Sequence, residues 1–342
     1  MRAPTLTRTG RAGLAALVAL AALVGQSAPA FGDPAEPTDY ESNVAGVVPD
    51  VVGVVVEVAG GDAFLVITVS PGHEVMVPGY FGEPYLSIDN TGTVSVNGKS
   101  PSKYVNEDRL GQSPVPESAD AEAAPEWEVV GSNGTYAWHD HRTHWMNTDR
   151  PPGVIGGSTQ EVFEWEIPIV VDGTPVLVSG SLDWHPSVTA LPYLLAGMAA
   201  LIPLVWWRRL RVKLLGWLVV AGALAATVLS TFDWLATPAP VRSFPTMSLA
   251  PLLALILGAA AWRIARRRPV GAAMAAVAAC VALVVFVLGS IAVFSSPVLP
   301  SAVPDSVERL LTAAVGWLAL GCAALAISRL VALAGPLPSA EG

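Results

Sequence analysis

Three of the chain's five histidines fall within six residues. His139, His141 and His144 lie in Asn133-Gly134-Thr135-Tyr136-Ala137-Trp138-His139-Asp140-His141-Arg142-Thr143-His144-Trp145-Met146. On a β-strand, side chains two residues apart share a face, so His139 and His141 are expected to point the same way. Such a pair can offer two imidazole nitrogens to one metal ion. His144, after a short turn, supplies a third, and Met146 adds a thioether. Imidazole suits copper, zinc, nickel and iron, and a methionine tilts the choice towards copper. Asp140 falls on the opposite face and is a candidate to orient a neighbouring ring from behind the ligands. A plainer reading is a hydrogen-bonded polar strand in which Asp140 pairs with Arg142. A third is a pH-responsive or partner-contact role, because imidazole titrates near neutral pH.

The run from Gly134 to His141 resembles the late strand of multicopper oxidases and related cupredoxin-like domains, where a Gly-Thr-Tyr-X-Tyr/Trp-His-X-His run supplies copper ligands. The resemblance implies a cupredoxin-like sandwich with at most a mononuclear site. Both cysteines, Cys280 and Cys322, lie in apolar runs far downstream, so a blue-copper thiolate is excluded. A trinuclear centre would need more histidines than the chain has. An exported β domain ahead of a helical bundle is also similar in architecture to bacterial copper-resistance proteins, although the apolar spans here carry no histidine.

A second concentration of special residues is Pro78-Gly79-Tyr80-Phe81-Gly82-Glu83-Pro84-Tyr85. Gly and Pro set the backbone there. Tyr80, Phe81, Glu83 and Tyr85 form a candidate binding loop, or else a packed loop at the end of the domain. His73 is expected in a solvated turn and His185 at the lipid headgroup level. No nucleophile elbow, phosphate loop, dinucleotide fingerprint or His-Glu-X-X-His motif occurs, so no catalytic residue is assigned and the chain is not read as an enzyme.

The elements that must position these residues are read from charge and hydropathy. Mean hydropathy is +0.52, but the distribution matters more. Residues 31–187 hold 24 of the 28 acidic residues against only five of the 19 basic ones. An acidic domain of this kind repels nucleic acid, which excludes that partner class. Residues 1–30 read as a signal peptide, with Arg2, Arg8 and Arg11 ahead of an apolar run and Ala28-Pro29-Ala30 before a cleavage site. Residues 31–45 read as a Pro- and acid-rich disordered linker. From 46 to 187, short β-type runs alternate with turn signals such as Asn133-Gly134 and Asp172-Gly173, which predicts an all-β antiparallel sandwich, cupredoxin- or Ig-like. Residues 111–125 read as a flexible loop.

An all-α transmembrane bundle follows over 188–332, with spans expected at about 188–207, 214–232, 247–263, 270–293 and 310–330. The loops at 208–213 and 263–268 hold eight basic residues, which the positive-inside rule assigns to the cytoplasm. That puts the β domain outside and the tail, 333–342, inside. Trp184, Trp206, Trp207, Trp234 and Trp262 read as an interfacial belt. The mostly-Arg basic set and high Ala content suggest a bacterial source, and the spans place the chain in the cell membrane. The expected function is a membrane-anchored extracytoplasmic metal-binding protein for copper, with the lipid bilayer, a metal ion and a membrane or extracytoplasmic protein as partners. The alternatives are a non-catalytic interaction or assembly protein with structural histidines, and a transporter accessory subunit.

Overall fold

The computed structural model describes residues 35–209 and 212–334. The expected signal peptide and residues 335–342 of the expected tail lie outside the described residues.

Among the described residues, ten strands form two antiparallel sheets. The larger contains β1 (Tyr40–Val48), β10 (Thr174–Trp184), β9 (Gln160–Val171), β4 (Val75–Pro78), β5 (Pro84–Ile88), β6 (Val94–Asn97) and β7 (Trp127–Gly131), in that order. The smaller contains β2 (Val54–Ala59), β3 (Phe64–Val69) and β8 (Thr135–Trp138). Period-two alternation builds the shared core. Ile167, Ile169 and Val171 of β9 and Val176 and Val178 of β10 point inward, while Glu164, Glu166 and Pro168 between them face out. They meet Leu65, Ile67 and Val69 of β3 and Trp138 of β8 from the smaller sheet. Each side chain buried this way contributes about 1.5–3 kcal/mol of transfer free energy.

Several expectations need correction. Tyr40–Val48, most of it assigned to a linker, is β1, eight of whose residues pair with β10. Its composition is polar because it is an edge strand with one face against solvent. Pro101–Val105 is a short helix, α1, which no apolar periodicity announces. Its start is set by Pro101 in the first turn, where the missing N–H costs nothing. Segment 111–125 is tied down in places, with the Asp120 N–H donating to the Lys99 carbonyl at 2.8 Å.

The helical region contains α2 (Leu191–Gly197) and a 3-10 segment (Met198–Arg209), then α3 (Val212–Ala236), α4 (Leu249–Ile264), α5 (Pro269–Gly289) and α6 (Asp305–Ala334). Among the described residues, four helices are long and apolar enough to cross a membrane: Lys213–Ala236, Thr246–Ile264, Pro269–Gly289 and Asp305–Leu333. The first of the five expected spans is different, a shorter apolar helix that tightens into 3-10 geometry. Pro203 lies inside it and removes a backbone donor that an α-helix needs. It still packs on α6, because Gly197 lets Ala313 approach closely and Trp317 Nε1 donates to the Leu194 carbonyl at 2.9 Å.

The β domain is seated on one end of this bundle. Thr38 and Val298 exchange two backbone hydrogen bonds at 3.0 and 3.1 Å, and Val188 N–H donates to the Ser295 carbonyl at 3.0 Å. Val241, in the loop after α3, packs on Ala63, Phe64, Val66 and Ala137. Trp184, assigned to the interfacial belt, is instead 2 % exposed at the end of β10, with the Arg150 guanidinium 4.5 Å above its ring.

Candidate functional site

The histidine cluster sits where β8 ends. β8 pairs with β3 from Thr135 opposite Thr68 to Trp138 opposite Leu65, and the strand stops there. The expected alternation of His139 and His141 on one strand therefore does not arise. The cause is Asp140. Its carboxylate accepts from the Arg142 N–H at 3.1 Å, and its carbonyl accepts from Thr143 N–H at 2.9 Å, folding 140–143 into a turn. The same carboxylate takes Trp138 Nε1 at 2.9 Å and the Arg142 guanidinium at 2.6 and 2.8 Å. Asp140 is fully buried and orients Trp138 and Arg142, not a histidine ring.

Each histidine ties a different piece of backbone. His139 Nδ1–H donates to the Ala63 carbonyl at 2.6 Å, and its ring stacks on Phe64 at 4.4 Å. His141 Nε2–H donates to the Asp108 carbonyl at 3.0 Å. His144 Nε2–H donates to the Arg109 carbonyl at 2.6 Å. A carbonyl only accepts, so these bonds assign the proton to Nδ1 of His139 and to Nε2 of His141 and His144. Two of the rings thus clamp residues 108–109 onto the end of β8, and the third clamps the start of β3.

The clamped loop has its own lacing. The Asp108 carboxylate accepts from the backbone of Leu110, Gln112 and Ser113. The Arg109 guanidinium reaches both carboxylate oxygens of Asp62 at 2.6 Å. Asp62 is completely buried, which raises its carboxyl above the usual range against the opposing pull of Arg109. The sequence reading missed this pair. The available signal was that Arg109 is one of only five basic residues in an acidic domain.

Burial lowers His141 below the ordinary imidazole range, against the opposing hydrogen bond to Asp108. Burial, aided by the Arg109 charge, pushes His144 down to about 3. Both rings are therefore neutral at physiological pH. His144 Nδ1 is buried with no hydrogen-bond partner.

The fit of this cluster to a metal ion follows from ring positions. Imidazoles bound tetrahedrally at ~2.0–2.1 Å from a metal place their ring centres roughly 5 Å apart. His141 and His144 are 5.1 Å apart, which fits. His139 and His144 are 6.5 Å apart, which only a nearly linear pair would permit. Among the described residues, no three His, Cys, Asp or Glu side chains gather as a metal ion requires. Met146 is partly exposed and borders Gly111, where a Cβ would stand 3.4 Å from the Met146 methyl and 3.1 Å from His141 Nδ1.

The candidate binding loop is mostly packed. Tyr85 is 2 % exposed, edge-on to Trp138 in the core. Glu83 is buried and accepts from Ser100 and Ser102 at 2.5 and 2.7 Å and from the Phe81 N–H at 3.0 Å. Burial alone would raise its carboxyl, but these donors outweigh it and hold it below the usual value. Tyr80 hydroxyl donates to Asn106 and accepts from the His141 N–H at 2.9 Å, so this loop braces the histidine turn. Of the four candidate side chains, Phe81 is the exposed one, at 72 %. His73 Nδ1 bonds Asp172 at 2.7 Å, and His185 bridges Glu41 at 3.0 Å and Thr159 at 3.1 Å.

No family model matches the chain, and no curated protein or solved structure matches it.

Proposed function

We propose that this chain is a membrane-anchored, non-catalytic interaction module, with its histidines structural and its β domain, a sandwich held outside the cytoplasm, presenting the β7 edge to a partner protein. The observation that carries this reading is β7 itself. It is the last strand of the larger sheet, and Trp127, Val129 and Val130 are 38, 70 and 50 % exposed. An uncovered edge offers unpaired backbone donors and acceptors, the template for adding an extended strand. The surrounding domain carries 24 acids against five bases, so the occupant is an extended segment with basic side chains.

A fluorescent peptide of alternating Lys and Val tests this on the purified full-length chain. It is expected to bind, and the Glu/Val counterpart is not. Val129→Lys, at an exposed position, is expected to leave folding intact and to remove binding. Equal binding by Val129→Lys, or no binding of the Lys/Val peptide, sinks the proposal.

A second reading rests on the partnerless Nδ1 of His144. With His141 Nδ1 and the Met146 sulfur, it makes a soft two-nitrogen, one-thioether donor set that suits Cu(I). Copper uptake by the dialysed full-length chain, lost in His144→Ala, would support it. A folded chain holding no copper at micromolar concentration would end it. The two readings separate on the triple His→Ala variant: structural histidines require it to unfold whether or not metal is present.

A further inference from the structure

The bundle end beneath the β domain holds charge that its apolar sequence conceals. Asp233 lies in the last turns of α3 and Glu308 in the first turns of α6. Ser301, in the loop between α5 and α6, lies near both carboxyl groups. Glu308 is only 4 % exposed, and its Oε2 is buried with no hydrogen-bond partner. Asp233 Oδ1 is buried without a partner as well.

The neighbouring cation does not answer this need. Arg309 is 3 % exposed and spends its donors on the carbonyls of Val293, Ser296 and Pro297 at 3.0, 2.7 and 3.2 Å. Its only ion pair among the described residues is with Asp305, at 3.3 Å. If ionised, Asp233 and Glu308 would stand there with no ion-pair partner among the described residues. Buried carboxylates persist when paired or when they coordinate a metal. Here the offered donors are all oxygen: two carboxylates and a hydroxyl.

We propose that Asp233, Glu308 and Ser301 form a binding site for a hard divalent cation at the end of the bundle that carries the β domain. Calcium is the natural probe, because it takes oxygen ligands in irregular geometry and completes its shell with water. The site joins three pieces of chain: α3, α6 and the loop that seats the β domain. That loop pairs Val298 with Thr38 and brings Pro300 within 3.9 Å of where a Cβ on Gly60 would stand. A bound cation therefore stiffens the seat.

The test uses the full-length chain in detergent, stripped of divalent ions, with calcium added at constant ionic strength. Uptake is read by equilibrium dialysis with radioactive calcium, and stability by the thermal midpoint. The wild type is expected to take up one calcium per chain and to unfold at a higher temperature with it. Asp233→Asn and Glu308→Gln are each expected to weaken uptake by at least about tenfold, since each removes one of two charged ligands. Ser301→Ala, which keeps both carboxylates, is expected to weaken it less, and it serves if the charge variants fail to fold. No uptake by folded wild type overturns the proposal, as does uptake that the three substitutions leave unchanged. A midpoint that answers to pH but not to calcium identifies a shared proton and overturns it too.

Discussion

Acidification from pH 7 to pH 5 should weaken the β domain through His144. The folded ring titrates at about 3, against an ordinary value of 6.5. A histidine with a depressed folded value resists protonation in the native state but not in the unfolded chain. Its contribution is therefore fully present above pH 6.5 and is lost as pH falls from 6.5 towards 3. Between pH 7 and pH 5 the unfolded ring gains its proton while the folded ring stays neutral, a loss of about 2 kcal/mol. For a domain of this size that lowers the thermal midpoint by roughly 4–8 °C. Other groups titrate over the same range, so the comparison is with His144→Gln. The glutamine amide can still donate to the Arg109 carbonyl but cannot be protonated. Thermal unfolding of the full-length chain, followed by tryptophan fluorescence at pH 7 and pH 5, should show a markedly smaller acid loss in the variant. If His144→Gln keeps the wild-type acid loss, the ring is not held neutral by burial and the clamp argument fails.

Further outcomes follow from the same structure. Asp140→Ala leaves Trp138 Nε1 and the largely buried Arg142 without their acceptor, and should cost about 3 kcal/mol or more, read as a fall in thermal midpoint. Gly134→Ala places a Cβ 2.3 Å from the Val69 carbonyl oxygen at a backbone φ of +70°. It should destabilise by more than about 1 kcal/mol, and faster amide exchange in β3 and β8 would locate the damage. Phe81→Ser, at an exposed position of an otherwise packed loop, should change stability by less than about 0.5 kcal/mol; a larger loss would show that this loop is covered in the native assembly.

Periodicity and charge carry far because they are local. Alternating valines and isoleucines with Asn-Gly and Asp-Gly turns announce antiparallel strands, since a strand's two faces meet different solvents. Runs of apolar residues interrupted by arginine clusters announce the long helices just as directly. The concentration of histidines at 139–144 is also plain in the sequence, and the structure does bring them together around one turn.

What those histidines touch is not local. Their partners are the carbonyls of Ala63, Asp108 and Arg109, which are 76, 33 and 35 residues away. A backbone carbonyl carries no sequence signature, so nothing in the chain's letters could nominate it. The Asp62–Arg109 pair spans 47 residues, and burial makes it matter. The same holds for Asp233, Ser301 and Glu308. Each looks like an ordinary residue near the end of an apolar run. Only helix packing brings the two carboxyl groups near Ser301 and buries one oxygen of each without a partner.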